Sequence, residues 1–409
     1  MTEDFKSPSV LLHVGLAKAG TTAIQVAAHE RRSELLEHNV LYPGTEFNHR
    51  SASRAVGDHR TGWGQDGRPP SAPDIRHWEE LVAEVHDHPD HTAFISHEYF
   101  ADYSPEVCRR IVADLDTVPT VIFTMRNQIS ATSSMWQQFV KYGRIDSFED
   151  WLTDQLNTLE STGKKGGKFL SRLHCSELVD KWAQTVGPEN VIVVALDKSQ
   201  PNLLFDAFES ELGLPTGLLA DVELDRRAAN RSFSLEEAEM IRAINTELRD
   251  HPTVSWPRYQ RLVRYAAIDP LLAEPNIDSD AHTIQVPQWA AEKIAAITAT
   301  QVDKIGQLGV RTVGDLTSLA TMPRNVGENP DAAEVDLQTA TQFTANVLAE
   351  AMKAIDQRRA RIAKLQRPTK EDRHKPHEIP LSEFVRAFGR KVRRKLIPAP
   401  KPRSSALTE

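Results

Sequence analysis

Eight consecutive residues, Gly15-Leu16-Ala17-Lys18-Ala19-Gly20-Thr21-Thr22, bring two glycines, a lysine and a pair of hydroxyls into one short stretch. These types suit an anion. Glycines let backbone N–H groups crowd around a phosphate, lysine supplies a charge, and a following helix adds its dipole. The spacing nearly satisfies the nucleoside-triphosphate loop G-x-x-x-x-G-K-[ST]. Gly15 and Gly20 have the required separation, and Thr22 stands where a magnesium-binding hydroxyl would. Thr21, however, follows Gly20, and the lysine has moved back to position 18. Such a loop does not place its lysine on the β- and γ-phosphates in the usual way. It suits transfer of a group from one terminal phosphate.

A second constellation comes later, in Met125-Arg126-Asn127-Gln128-Ile129-Ser130-Ala131-Thr132-Ser133-Ser134. Arg126 leaves the end of an apolar run, and Ser134 falls in the second turn of the helix that follows. A guanidinium fork and a hydroxyl converging beside a helix start make a phosphate clamp.

On these residues the chain resembles the sulfotransferase superfamily. There a P-K-[ST]-G-T-T type loop binds the 5′-phosphosulfate of 3′-phosphoadenosine 5′-phosphosulfate (PAPS). The stretch HVGLAKAGTTAIQ looks most like the bacterial and carbohydrate-type members. Ala17 replaces the common proline and Ala19 a common Ser or Thr; neither change removes a backbone donor. The resemblance implies that Lys18, Ala19, Gly20, Thr21 and Thr22 hold the 5′-phosphosulfate and that Arg126 and Ser134 bind the 3′-phosphate. It implies PAPS as co-substrate, no metal, and in-line transfer with Lys18 meeting charge on the leaving phosphate. A His or Glu must then take the acceptor proton. The candidates are Glu98, His97, His49 and Glu46, with Glu98 and His49 favoured as catalytic residues beside Lys18. The late R-K-G-x-x-G loop of cytosolic members is not found in the sequence; Lys164, Lys165 and Lys168 offer other cationic cover.

These groups need a scaffold. Val10–Val14 is short and apolar enough for a buried parallel strand, followed by a helical pattern from Thr21 to near His38. Thr92–Ser96 reads as a second buried strand ending in His97-Glu98, Thr120–Thr124 as a third that delivers Arg126, and Val191–Ala195 as a fourth. In open α/β sheets that carboxyl edge is where ligands bind. Residues 75–88 form an amphipathic helix with Ile75, Trp78, Leu81, Val82 and Val85 on one face. Further helices are expected at 104–115, through 134–143 to Lys141-Tyr142-Gly143, and at 148–158, 169–186, 234–250 and 287–306. Ser234 and Glu237 form a capping box. Arg226, Arg227 and Arg231 nearby read as structural or solvated cations. Residues 43–75, with Glu46, His49, Arg50, His59 and Arg60, form a long irregular segment, of the kind that is usually functional or mobile. The family places acceptor-binding groups there.

The expected fold is therefore α/β, a parallel sheet flanked by helices in three layers like a P-loop NTPase, with a helical C-terminal extension. Three parts follow: a nucleotide-binding domain over 1–325, a long helix within 326–367, and 368–409 as linker, basic amphipathic helix and tail. The net charge of −8 conceals an asymmetry. Residues 353–403 hold 17 Lys and Arg against 5 Asp and Glu, which leaves the remainder at −20. This is not the outline of a nucleic-acid-binding protein. It suggests that segment 382–397, with Phe384, Val385, Phe388, Val392 and Leu396 on one face, meets an anionic membrane surface or an acidic partner. Cys108 and Cys175 make neither a disulfide framework nor a metal set. No apolar run approaches a membrane span and no signal-peptide core is seen, so a cytoplasmic location, peripheral at the membrane, is expected. The acceptor is expected to be a carbohydrate, a glycolipid or a lipid-like molecule. Two other readings remain open. One is a degenerate P-loop kinase or NTPase; the other is a non-catalytic scaffold that keeps the nucleotide fold and docks through its basic arm.

Overall fold

Strand β1 (Ser9–Gly15) is apolar at nearly every position because both of its faces are covered. A computed structural model describes residues 9–62, 70–162, 167–222, 231–251, 253–274, 282–330 and 334–365. Five further strands join β1: β2 (Val40–Leu41), β3 (Thr92–Ser96), β4 (Thr120–Arg126), β5 (Val191–Leu196) and β6 (Arg311–Val313). Their order is β2-β3-β1-β4-β5-β6, and every pairing is parallel. Leu12 lies opposite both Ile95 and Val121, so β1, β3 and β4 end close together. From β1 the chain first runs to one side of the sheet and then crosses to the other. The loops leaving β1 and β4 therefore diverge, and a crevice opens at the switch point.

The period-2 alternation of β1 sorts two cores. Val10, Leu12 and Val14 share one with Trp78, Ile111 and Trp182, from helices Arg76–His86, Pro105–Leu115 and Cys175–Val186. Leu11 shares the other with Ile24 and Phe208, from helices Thr21–Glu30 and Leu203–Leu212. The tryptophans keep their polar edge satisfied: Trp78 Nε1 donates to Asp114 at 2.7 Å and Trp182 Nε1 to the Phe100 carbonyl at 3.3 Å. A third cluster, around Trp136, Trp151, Phe169, Tyr259 and Phe343, is built mainly from helices, away from the sheet. It carries one wall of the crevice.

The three-layer α/β fold is as expected, with differences of detail. The helix expected from Thr21 to His38 breaks at Arg31 into Thr21–Glu30 and Arg32–Glu37. The irregular segment 43–75 contains the helix Arg50–Val56. The helix expected over 148–158 continues to Thr162. Strand β6 was not foreseen, since its first two residues are exposed and it shows no alternation. Gln260–Ile268 winds as a π-helix, another feature that apolar spacing does not signal. Helix Leu337–Leu365 lies within the long helix read from the sequence. Cys108 and Cys175 are free and buried, and burial pushes their thiols up to about 11 and about 12.

The chain divides into two units, residues 1–348 and 349–409. In the second, the described residues 349–365 belong to one helix. The linker and basic segment at 368–409, Lys164, Lys165, Arg226 and Arg227 lie outside the described residues, as does the side chain of Lys168. No helix among the described residues is long and apolar enough to cross a membrane.

Candidate active site

The loop after β1 is shaped by left-handed backbone. Gly15 has φ 88°, Gly20 φ 77° and, between them, Lys18 has φ 69°. A lysine in that region is uncommon and strained, a state that tends to accompany functional loops. Leu16 N–H donates to the Thr124 carbonyl at 2.6 Å, and Thr21 Oγ1 donates to the Leu16 carbonyl at 3.2 Å, pinning the loop to β4 and to itself. Gly20 caps helix Thr21–Glu30 without a side-chain hydrogen bond. The first turn of that helix thus points its N–H groups and positive dipole end into the crevice.

At the end of β4, Arg126 Nη2 donates to Ser134 Oγ at 2.9 Å. The helix carrying Ser134 starts where it does because Asn127 Oδ1 accepts from Ser130 N–H at 2.9 Å. The same Asn127 donates through Nδ2 to the Thr321 carbonyl at 2.6 Å, which fixes the turn. Nε of Arg126 is closed off from solvent and has no hydrogen-bond partner among the described residues. Burial lowers the guanidinium's pKa.

Glu98 emerges at the end of β3, with its side chain 28% exposed. Burial works to raise its carboxyl, but His97, its own backbone N–H, Arg172 and His13 outweigh that and hold it below the usual range. His97 Nδ1 accepts from Tyr99 N–H at 3.1 Å, so the ring carries its proton on Nε2, 3.6 Å from Glu98 Oε2. His97 is thus a neighbour of the carboxylate.

The other two candidates lie elsewhere. His49 is buried, accepting from Ser96 N–H at Nδ1 (2.9 Å) and donating from Nε2 to the Pro43 carbonyl (2.9 Å). Both ring nitrogens are committed, and burial lowers its pKa to about 4. It ties the segment after β2 to β3 and, unlike Glu98, is not among the residues that line the crevice. Glu46 accepts from Ser51 Oγ at 3.1 Å on the surface and does not line the crevice.

The crevice itself has a volume of about 1190 Å³. Lys18, Gly20, Thr21, Thr22, His97, Glu98, Arg126 and Ser134 all line it, and Ala19 lies buried beneath the loop. Ten Lys and Arg side chains face it against three carboxylates, which makes it an electrostatic funnel for a multiply charged anion. Packing cations together has a visible effect. Lys18 is lowered to about 8, first by burial and then by Arg126, with Glu98 opposing. Lys141 is lowered to about 7, by burial and then by Lys18.

The residues that sequence reasoning missed are Arg172, Arg264 and Asp269, which also line the crevice. Arg172 reaches it from helix Gly167–Leu173, paired with Asp102 at 3.2 Å. An arginine inside the apolar run Phe169-Leu170-Ser171-Arg172-Leu173 was its one signal. Arg231 is structural, as read: it donates to both carboxylate oxygens of Glu237, the capping-box residue, at 2.6 and 2.7 Å. Among the described residues no group of three or more His, Cys, Asp or Glu is placed to hold a metal ion.

No family model matches the chain, and no curated protein is similar to it in sequence. Among solved structures it is similar to the crystal structure of a sulfotransferase from Alicyclobacillus acidocaldarius. The two are 14% identical with a TM-score of 0.40, over 74% of this chain and 96% of that one. That is a likeness in the general course of the backbone, and no assignment of activity rests on it.

Proposed function

We propose that this chain is a sulfotransferase that moves a sulfuryl group from PAPS to a hydroxyl or amine of a carbohydrate, glycolipid or lipid-like acceptor. One observation carries the reading. Two separate anion-binding elements, the Lys18 loop and the Arg126–Ser134 pair, open into the same cationic crevice. PAPS bears phosphate at both its 5′ and 3′ positions, and a nucleoside triphosphate does not. The residues fit such a donor: an uncapped helix start and Lys18 for the 5′-phosphosulfate, and the unpartnered Nε of Arg126 with Ser134 for the 3′-phosphate.

The acceptor oxygen or nitrogen would bond to sulfur as the bond from sulfur to the 5′-phosphate oxygen breaks. Glu98, ionised at neutral pH, would take the acceptor proton. Lys18 and the N–H groups at the start of helix Thr21–Glu30 would meet the charge left on the phosphate. Removing one such donor typically lowers turnover by about 10²–10³-fold. The holding of Arg126 beside Ser134 would fix the register of the donor against both groups.

A kinase or NTPase is the competing reading. It would need Glu98 to hold Mg²⁺, whereas Glu98 faces His97 and lies under the influence of Arg172. Thermal stabilisation separates the two. Adenosine 3′,5′-bisphosphate is expected to raise the unfolding temperature more than ATP with Mg²⁺, and Arg126→Ala to remove most of that gain. A larger shift with ATP and Mg²⁺ would sink the sulfotransferase reading. Bisphosphate binding without product from any acceptor panel would favour the scaffold.

A further inference from the structure

One wall of the crevice holds an arginine with donors that nothing among the described residues answers. Arg264 sits in the π-helical stretch Gln260–Ile268, a winding found mostly at functional sites. Its guanidinium carbon lies 4.4 Å from the centroid of the Tyr142 ring. Nε and Nη1 are both closed off from solvent and hydrogen-bond nothing among the described residues. Asp269 is near enough for Arg264 to act on its carboxyl, yet those two donors stay unpartnered. Leaving charged donors buried and unpaired is costly, and Arg264 lines a crevice that an anion can enter.

The surface around Arg264 says what kind of group. Tyr142 and Trp256 are stacked, with ring planes 16° apart and centroids separated by 5.7 Å. Trp256 and Tyr259 continue the wall at 12° and 6.0 Å. All three line the crevice. A stack of aromatic rings ending in a guanidinium makes a wall suited to a ring that carries a negative substituent. This end is displaced from the Arg126–Ser134 pair, although Arg264 is close enough to Lys18 to act on its ammonium. Tyr142 lies eight residues beyond Ser134, past the end of the helix Gln128–Lys141, which is roughly 12 Å at helical rise.

The geometry points to an acceptor subsite in which Arg264, backed by Tyr142 and Trp256, binds an acceptor that is itself anionic, through a carboxylate or sulfate on a ring. This deepens the sulfuryl-transfer reading and rests on it. The same field that draws in the donor then draws in the acceptor, and a neutral isostere leaves Arg264 unpaired.

The test uses the full chain saturated with adenosine 3′,5′-bisphosphate. Two matched pairs are titrated by calorimetry: 4-hydroxybenzoate against phenol, and the methyl glycoside of glucuronate against that of glucose. At least one acid is expected to bind roughly 10- to 100-fold tighter than its neutral partner. Arg264→Met should abolish the difference while bisphosphate affinity falls by much less than tenfold, and Arg264→Lys, which keeps charge but not the flat fork, should retain part of it. Equal binding of acid and neutral probe, or no binding of either acid at millimolar concentration, overturns the proposal while leaving the donor reading intact. A tenfold loss of bisphosphate affinity in Arg264→Met also overturns it, by moving Arg264 to the donor. Failure of the wild type to bind bisphosphate at all refutes instead the reading on which it rests.

Discussion

A Cβ added to Gly15 would stand 2.9 Å from the Cβ of Glu98 and 3.1 Å from its Cα. The loop that carries Lys18 and the strand end that carries Glu98 are thus packed backbone to backbone, and only glycine lets them meet. Position 15 also has φ 88°, so a side chain there is strained whatever the space. The two effects reinforce each other. Gly15→Ala is expected to lower stability by about 1–3 kcal/mol and to weaken adenosine 3′,5′-bisphosphate binding, because pushing the loop from Glu98 moves the N–H groups at its tip. Urea unfolding and calorimetric titration measure both. Wild-type affinity in the variant would show that the close approach positions nothing.

Much of this arrangement is legible in the sequence, for a physical reason. Gly15, Lys18, Gly20 and the threonines are contiguous, so a turn and a helix start suffice to bring them together. Arg126 and Ser134 are joined by the first two turns of one capped helix, and their hydrogen bond follows from local geometry. What stays hidden depends on long-range packing. His49 has the chemistry of a base and sits in a segment suited to acceptors, yet its burial between Ser96 and Pro43 is decided by where β2 and β3 pair. Arg264 has no local signal at all. Its role comes from a π-helical winding and from Tyr142, more than a hundred residues earlier in the chain.

The lowered lysines give the crevice a titration that can be read directly. With Lys18 near 8 and Lys141 near 7, both are partly or largely neutral at pH 8 in the free protein. A bound polyanion favours the charged form of each and raises both pKa values. Binding must then take up protons at pH 8 and take up almost none at pH 6, where both lysines are already charged. Bisphosphate titrations in two buffers of different ionisation enthalpy are expected to report roughly one proton or more at pH 8. Lys141→Met should remove the larger share, since Lys141 is the more neutral of the two. Heats independent of buffer at pH 8 would mean that neither lysine faces the ligand.

Two buried histidines tie stability to pH. His13, in the middle of β1, has Nδ1 at 2.8 Å from Ser96 Oγ and Nε2 at 3.1 Å from Thr124 Oγ1, wholly buried. Burial lowers it from 6.5 to about 3, and lowers His49 to about 4. In both cases the folded value lies below the unfolded one, so between the two the unfolded chain binds a proton that the folded chain refuses. Stability is therefore complete above about 6.5 and lost as pH falls toward the folded values. Each histidine contributes up to about 1.4 kcal/mol per pH unit in that window. Urea unfolding between pH 7.5 and pH 5 (about one to two units either side of the ordinary histidine pKa) is expected to show stability falling steeply with acid. His49→Gln can keep both hydrogen bonds, with its amide donating to Pro43 and its carbonyl accepting from Ser96, but cannot titrate. The slope in that variant should be shallower by one histidine's share; an unchanged slope would assign the acid sensitivity to other groups.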